Sequence, residues 1–195
     1  MKKYCLCLYA LFAAGIFSVY GFAGNLLECS FSLGSGFPLY SEQTKQTRSI
    51  HMEGVTQQRV ILCMDAGLSL LLGSNIRFKA GAVSVQDYVF SGSRYAHFID
   101  YAIYGGFRIF PANSGFNFGV DYLLSQRTDF FGGGQQGAYR THTPWGNGFR
   151  ILAEYDFHNG RQGLAPALCI NWRWVPRGSY GIDNYLMLAI KLSYL

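Results

Sequence analysis

The stretch Asp100–Phe110, which reads DYAIYGGFRIF, decides how this chain folds. Its odd-numbered positions are apolar apart from one glycine, whereas its even-numbered positions include Asp100 and Arg108. Strict alternation has the period of a β-strand, in which successive side chains point to opposite faces. One face of this strand therefore suits hydrocarbon, and the other accepts charged groups.

The composition favours a β-rich chain with little water-facing surface. The 195 residues are enough for one domain, and a content of 50% hydrophobic and 17% aromatic residues excludes a disordered polar chain. Charged residues make up only 14% of the sequence, whereas soluble proteins have roughly 25%. The formal charge falls from +5 to +3 without Lys2 and Lys3, which is too small an excess to indicate nucleic-acid binding.

The N-terminus has the layout of a secretory signal peptide. Lys2 and Lys3 precede an apolar run that ends in small residues near Ala23. The alternative is an uncleaved anchor, because the run approaches the ~20 residues that span a bilayer. We expect cleavage, which assigns residues 1–23 to the signal peptide and residues 24–195 to the mature domain. No later segment has eighteen consecutive apolar residues, so a mature chain that crosses a membrane must do so as a closed barrel.

Segments with a period of two occur eight times in the mature chain, and long and short connections alternate between them. We predict strands at about Leu27–Phe37, Arg59–Leu72, Ile76–Asp87, Asp100–Phe110, Phe116–Leu124, Phe149–Phe157, Leu164–Trp174 and Asn184–Leu195. In the third strand the apolar positions change face after Ala82, which we attribute to a β-bulge near Gly81. Strands of this length and number predict an all-β, eight-stranded antiparallel up-and-down transmembrane β-barrel.

Charged side chains on the minority face of these strands are predicted to point into the barrel. They are Glu28, Asp65, Arg77, Lys79, Asp100, Arg108, Asp121, Arg150, Glu154, Asp156, Arg173 and Lys191. An eight-stranded barrel has room inside only for its own side chains, and charges in a low-dielectric interior need partners. We therefore expect one hydrogen-bonded column that fills the lumen. The alternative, a soluble exported barrel of the lipocalin type, requires an apolar interior.

The closing segment IDNYLMLAIKLSYL, residues 182–195, carries a family resemblance. It is similar to the last strand of OmpW-type proteins, in which an aspartate opens an alternating apolar strand that reaches the C-terminus. The whole mature chain resembles the small eight-stranded outer-membrane β-barrels, the class of OmpW, OmpX and the OmpA transmembrane domain. The resemblance implies insertion by the barrel-assembly machinery, outer-membrane lipid as the surroundings, short periplasmic turns, periplasmic termini and long surface loops. For OmpW relatives it further implies passive passage of small hydrophobic molecules.

The remaining motifs indicate no catalytic residue, cofactor or metal site. The sequence GGGQQG at 132–137 lacks the strand and helix that flank a dinucleotide-binding loop. The four histidines show no metal-ligand spacing, and the nearness of Asp87, Ser91 and His97 in sequence is not enough to indicate a catalytic set. We therefore predict that the protein is not an enzyme.

Two functions stay open on the sequence. The first is a narrow or gated conduit for passive uptake of a small-molecule substrate, as the OmpW resemblance implies. The second is a sealed barrel with a structural role or an extracellular ligand bound by its loops. Phe130 and Phe131 in DFFGGG are the candidate loop contacts, because exposed aromatic side chains mark binding surfaces. The equal alternative is that these rings fold back over the barrel mouth. The charges expected on the loops show only a mild basic excess: Lys45, Arg48, Arg94, Arg127, Arg140 and Arg177 against Glu42, Glu53, Asp129 and Asp183.

Overall fold

The computed structural model describes residues 27–54, 56–111, 115–133, 137–157 and 163–194. The predicted signal peptide lies outside these residues. The elements are β1 Leu27–Leu39, α1 Glu42–His51, β2 Gln58–Leu71, β3 Ile76–Ser91, β4 Arg94–Ile109, β5 Phe116–Gly132, β6 Tyr139–His142, β7 Gly146–Asp156, β8 Leu164–Pro176 and β9 Ile182–Tyr194. A turn of 3-10 helix, Gly178–Tyr180, joins β8 to β9.

The described strands form one antiparallel sheet that closes on itself. The sheet runs in the order β4, β3, β2, β1, β9, β8, β7, β5, and the pairing of β4 with β5 closes it. The short strand β6 and the strand β7 pair with successive parts of β5, so together they fill one of eight positions in the wall. The predicted eight-stranded antiparallel up-and-down barrel is confirmed.

The strand register gives the barrel a pronounced stagger. When the pairing is followed around the wall from Leu27 through every neighbour, it returns to β1 at Phe37, ten residues further along. A stagger of this kind accompanies strands tilted by about 35–45° from the barrel axis. Each residue along a strand therefore advances about 2.5 Å along the axis, from a rise of about 3.3 Å.

The two faces of the wall have opposite chemistry. Outward-facing Ile103, Val120 and Ile190 expose 57–65% of their surface. Inward-facing Asp121 and Arg173 are fully buried. Because hydrocarbon offers no hydrogen-bond partners, an apolar outer face on a closed sheet is the surface that contacts lipid. The arrangement is the reverse of a lipocalin-type barrel.

Aromatic pairs mark both borders of the lipid-facing band. The pairs near the chain ends are Phe78–Phe107, Phe116–Tyr155 and Tyr155–Phe157, and those near the opposite end are Tyr101–Trp145, Phe149–Trp172 and Phe149–Trp174. Two aromatic belts are typical of barrels that span a bilayer. We call the end with the short connections and both chain ends the turn end, and the opposite end the loop end.

Three strands are longer at the loop end than the sequence predicted. β3 reaches Ser91, β4 begins at Arg94 and β5 reaches Gly132. The stretch 88–97, predicted as a long loop, is therefore mostly strand, with a tight turn in which Gly92 adopts φ +55°. The loop-end parts of β2 to β6 form a single sheet, named here the protruding sheet: 58–62, 86–91, 94–99, 128–132 and 139–142.

The predicted β-bulge near Gly81 is wrong. The pairing of β3 with β2 and β4 continues in one register through Gly81. Val83 and Val85 point inward, where they are buried beneath the mouth of the barrel. The apolar pattern changes face there because this inner region packs against apolar side chains, while the strand itself stays regular.

A bulge does occur between β6 and β7. Two residues of β5, Gln126 and Arg127, face the three residues 143–145, because Ser125 pairs with Gly146 and Thr128 with His142. The Thr143 amide donates to the Arg127 carbonyl at 2.9 Å, and the Arg127 amide donates to Thr143 Oγ1 at 3.0 Å. The extra residue therefore leaves the backbone of β5 paired.

Helix α1 lies in the connection that the sequence predicted as a polar loop. Ser41 caps its N-terminus by accepting a hydrogen bond from the Thr44 amide. Glu42 lies in the first turn, and Arg48 and His51 lie in the last turn, a distribution that complements the helix dipole. Among the described residues, no helix is long and apolar enough to cross a membrane. The helix is mainly polar because it covers the barrel mouth with one side facing solvent.

Candidate functional site

The side chains predicted to fill the lumen do point into it. Ten of the twelve are buried, and Arg77 and Asp156 at the turn end are half-buried. Their contacts form separate groups along the axis, where the sequence predicted one column. The difference follows from the narrow lumen, in which each charge contacts the partners at its own height.

The group at the turn end joins four strands. Lys191 contacts Glu154 at 2.6 Å and Glu28 at 3.7 Å, and Arg77 donates to Glu28. The guanidinium of Arg77 also lies 4.3 Å from the ring centre of Phe110. These contacts connect β1, β3, β7 and β9 across the lumen.

The group in the middle is built around Arg150. Its Nη1 donates to Asp65 at 2.5 Å, its Nε donates to Asp121 at 2.6 Å, and its guanidinium lies 4.1 Å from the ring centre of Tyr104. Arg108 binds the same Asp121 through two hydrogen bonds of 2.5 and 2.9 Å. Asp65 also accepts from Tyr104 at 2.8 Å. These charges are buried and therefore depend on each other.

The group nearest the mouth is built around Asp100. Arg173 and Arg177 both donate to its carboxylate, as do Ser125 at 3.1 Å and Tyr185 at 3.2 Å. A carboxylate that accepts several charge-assisted hydrogen bonds is held in one position. Asp100, one of the two charges in the decisive stretch, is therefore the centre of the upper lumen.

Four of the ten charges that the sequence assigned to loops seal the mouth. Arg127, Asp129, Arg177 and Asp183 are all buried. Arg127 contacts Asp129 at 2.6 Å and also donates to Asp183, and Arg177 contacts Asp183 at 2.6 Å. Thr44 of α1 accepts from Arg127 at 2.9 Å, which attaches the helix to this cluster.

The alternation of the sequence contains the signal for these residues. Arg127 and Asp129 continue the odd-numbered inward positions of β5 that begin at Asn117, and Asp183 shares the phase of the inward residues of β9. The sequence predicted shorter strands because glycine and polar residues lie next to their apolar positions at the loop end. The inner face of the protruding sheet combines charges such as Asp87 and Asp129 with buried apolar side chains such as Phe98 and Phe131.

An aromatic layer closes the mouth above the ion pairs. The ring of Tyr40 lies 5.2 Å from that of Phe98 and 6.1 Å from that of Tyr185, and the Arg127 guanidinium lies 5.2 Å from the Tyr40 ring. Met52, just after α1, is buried in the same layer. Burial raises the pKa of Tyr40 well above its ordinary value, and Tyr185 and Asp87 act in the same direction.

Asp87 on β3 contacts both strand β2 and helix α1 at the barrel mouth. It accepts two hydrogen bonds of 2.8 Å from Arg59 and lies 3.8 Å from Arg48 of α1. Its side chain points inward, whereas His97 lies on the outer face of β4. The wall therefore separates the acid and the histidine that the sequence placed near each other.

The two candidate loop contacts have different positions. Phe131 is not a surface residue: it is 1% exposed and packs against Phe98, His51 and Tyr139. The reason is that β5 continues its alternation to Gly132, which places Phe131 inward. Phe130 faces outward from the protruding sheet, next to His97.

The described residues hold no group of three or more histidine, cysteine or acidic side chains that is suited to a metal ion. Cys63 and Cys169 are buried, Cys29 is half-buried on the outer face, and all three are free thiols. The motif at 132–137 lies only partly within the described residues. Its first residue, Gly132, belongs to strand β5.

The barrel is similar to solved structures. The crystal structure of Ail, the attachment invasion locus protein of Yersinia pestis, superposes with a TM-score of 0.55 at 10% identity and covers 86% of this chain and 98% of Ail. A second Ail structure, in complex with the heparin analogue sucrose octasulfate, gives 0.51 at 10% identity over 87% of this chain and 99% of Ail. The chain has the fold of a small outer-membrane β-barrel.

A further small barrel, Neisserial surface protein A, gives a TM-score of 0.48 at 8% identity and covers 85% of this chain and 96% of that one. No protein-family model matches the sequence, and no curated protein is similar to it in sequence. The likeness therefore concerns the barrel fold, and the closer resemblance to OmpW-type proteins stays a prediction.

Proposed function

We propose that the protein is a sealed outer-membrane barrel that acts through the surface of its loop end. The observation that carries the proposal is the filled lumen, in which Arg150, Arg173 and Arg177 reach across the barrel to buried carboxylates. An eight-stranded barrel leaves no spare width once such side chains occupy it. The mouth is closed a second time by the cluster of Arg127 and Asp183 beneath α1.

The proposal places the loop end outside the cell. Short turns face the periplasm and longer connections face the exterior in barrels of this class. The loop end has the only structures that extend beyond the lipid-facing band among the described residues, namely α1 and the protruding sheet. The termini are then periplasmic. Contacts with partners, lipid or extracellular ligand would be made by this end.

Single-channel recording in planar bilayers tests the sealed lumen against the predicted conduit. Purified wild-type protein is expected to give no steady conductance steps. The variant Arg173→Ala with Arg177→Ala opens only the upper lumen, so it is also expected to stay silent, because the groups around Arg150 and Lys191 still close the barrel below it. Lys45→Ala, which alters an exposed helix residue, is the matched control and is expected to stay silent.

Heat-modifiable gel mobility shows whether each variant is folded before recording. Uniform steps from the folded wild type would contradict the sealed lumen and favour passive uptake of small molecules. Silence from the folded double variant would show that other groups block the lumen.

The export steps are part of the same proposal. Cleavage near Ala23 and insertion by the barrel-assembly machinery are expected for a protein of this class. N-terminal sequencing of the protein recovered from outer membranes tests the cleavage. A mature chain that begins at Met1 would favour the uncleaved anchor.

A further inference from the structure

Five side chains form an aromatic surface on the outer face of the protruding sheet. This outer aromatic patch consists of Tyr88, Phe90, Tyr95, His97 and Phe130. The ring of Tyr88 lies 5.3 Å from that of Phe90, 6.1 Å from that of Tyr95 and 5.1 Å from that of His97, which lies 6.0 Å from that of Phe130. The patch faces sideways, along the membrane plane.

The patch lies just above the lipid-facing band. The Tyr101–Trp145 pair marks the loop-end border of the band, and His97 is four residues further along β4. At about 2.5 Å of axial advance per residue, this places His97 about 10 Å beyond that border. The patch is therefore outside the hydrocarbon, at the height of glycolipid headgroups.

Polar side chains separate the patch from the hydrocarbon. Gln86 on β3 and Gln126 on β5 are outward-facing residues near the upper border of the band, and they are the expected transition to a polar environment. Beyond this polar transition, the same outer face of β3 to β5 continues into the patch. Whatever contacts the patch is continuous with the lipid that surrounds the barrel.

The edge next to the patch is basic. On β6, the exposed Arg140 is paired with Phe130, and His142 contacts Thr128 Oγ1 at 2.9 Å. Arg140 is the one charged side chain on the outer face of the protruding sheet as described. A guanidinium at this height suits a phosphate group on a headgroup.

The backbone is adapted to hold the patch in place. A Cβ atom on Gly132 would lie 2.3–2.7 Å from the ring of Tyr95, so the ring lies directly over the glycine of the neighbouring strand. Cross-strand pairing of Tyr95 with Gly132 fixes the position of this ring. The patch therefore offers pre-positioned flat surfaces, which lose little conformational freedom on binding.

We propose that the outer aromatic patch binds the inner sugars of lipopolysaccharide in the outer leaflet, with Arg140 on a sugar phosphate. The electron-rich face of an aromatic ring attracts the polarised C–H groups on the face of a sugar ring. A sideways-facing patch at headgroup height contacts the leaflet's own glycolipid, whereas a ligand from outside approaches the loop tips. This inference deepens the proposed surface role and rests on the outer-membrane placement.

The test compares retention of glycolipid by native mass spectrometry of protein released from nanodiscs. The nanodiscs contain lipopolysaccharide with its inner-core sugars, lipid A alone, or phospholipid alone. The wild type is expected to retain the sugar-bearing lipid at least about tenfold more than the Tyr88→Ser, His97→Ser, Phe130→Ser variant does. Lipid A without core sugars is expected to bind both proteins equally.

The matched control is Ile182→Ser, which also places a serine on the outer face at the loop end but on the opposite wall. It is expected to retain the sugar-bearing lipid as the wild type does. Heat-modifiable mobility verifies that every variant is folded. Equal retention by the triple variant and the wild type would overturn the proposal.

Two other outcomes would also overturn it. In a variant whose Trp145, Trp172 and Trp174 are replaced by phenylalanine, quenching of a tryptophan placed at position 97 by a bromine-labelled acyl chain would show that the patch lies in hydrocarbon. Crosslinking between two copies through the patch would show that the occupant is a second chain. Neither outcome depends on channel recordings, so failure of this inference and failure of the sealed-lumen proposal are distinguishable.

Discussion

Replacement of Arg150 by methionine tests whether the lumen charges hold the barrel together. Methionine keeps most of the apolar stem but removes the guanidinium that joins Asp65 and Asp121. Asp121 retains Arg108 at 2.5 Å, whereas Asp65 retains only Tyr104 at 2.8 Å and a more distant lysine. The main consequence is a buried carboxylate with too few partners.

The magnitude follows from burial. Breaking a buried ion pair by removing one partner costs about 3–5 kcal/mol, because the remaining charge stays desolvated. The matched control is Lys45→Met, which breaks an ion pair with Glu42 of the same 2.6 Å length as the contact between Arg150 and Asp121. That pair is on the exposed side of α1, so its loss is expected to cost below about 0.5 kcal/mol.

The assay is urea unfolding of the refolded barrel in detergent, with the folded fraction read from gel mobility. Unfolding and refolding curves must coincide for a free energy to be taken. If Arg150→Met lowers the free energy of unfolding by less than about 1 kcal/mol relative to the wild type, the reasoning is refuted. It would mean that water reaches Asp65 and that the lumen is not closed.

Three further predictions concern the space around two glycines, the attachment of helix α1, and the dependence of stability on pH. Gly106→Ala is expected to destabilise the barrel by about 1–3 kcal/mol, because its Cβ would lie 2.1 Å from a backbone oxygen. Gly105→Ala is expected to be nearly neutral, because the nearest atom to its Cβ would lie 3.6 Å away. Urea unfolding of both variants tests this difference. Thr44→Val removes an acceptor of Arg127, so hydrogen exchange in 42–51 is expected to accelerate while exchange in the strands is unchanged. Burial lowers the pKa of His97, so protons bind the unfolded chain more readily, and stability is expected to fall as the pH drops below about 6.5. The His97→Gln variant is expected to lose less stability than the wild type between pH 7.5 and pH 5. An equal loss of stability in the two proteins would contradict this prediction.

The fold was predictable because one physical rule acts along every strand. A wall with lipid outside and its own side chains inside needs alternation, and the stretch at 100–110 shows it plainly. The inward orientation of Asp100 and Arg108 followed from that rule. The partners of these two residues could not be predicted from that rule. The contact of Asp100 with Arg177, for example, joins residues 77 apart in sequence and depends on barrel closure.

The loop end was predicted less well for a different reason. Beyond the lipid, the outer face no longer has to be apolar, so the alternation loses its contrast. The sequence therefore predicted that β4 begins at Asp100 and that β5 ends at Leu124. For that reason the sequence left open whether Phe131 lies on the surface or folds over the barrel mouth. Helix α1 has no apolar stripe because its role is to cover the ionic mouth, so the periodicity gave no sign of it.

The short strand β6 gives this closed barrel one open border above the membrane. One side of β6 pairs with β5, and no described strand pairs with its other side. Unpaired strand borders recruit strands from other chains, and proteins limit this by keeping them short and charged. With four residues and an arginine in its middle, β6 meets both conditions. Lengthening it with alternating apolar residues would turn this border into a seed for aggregation.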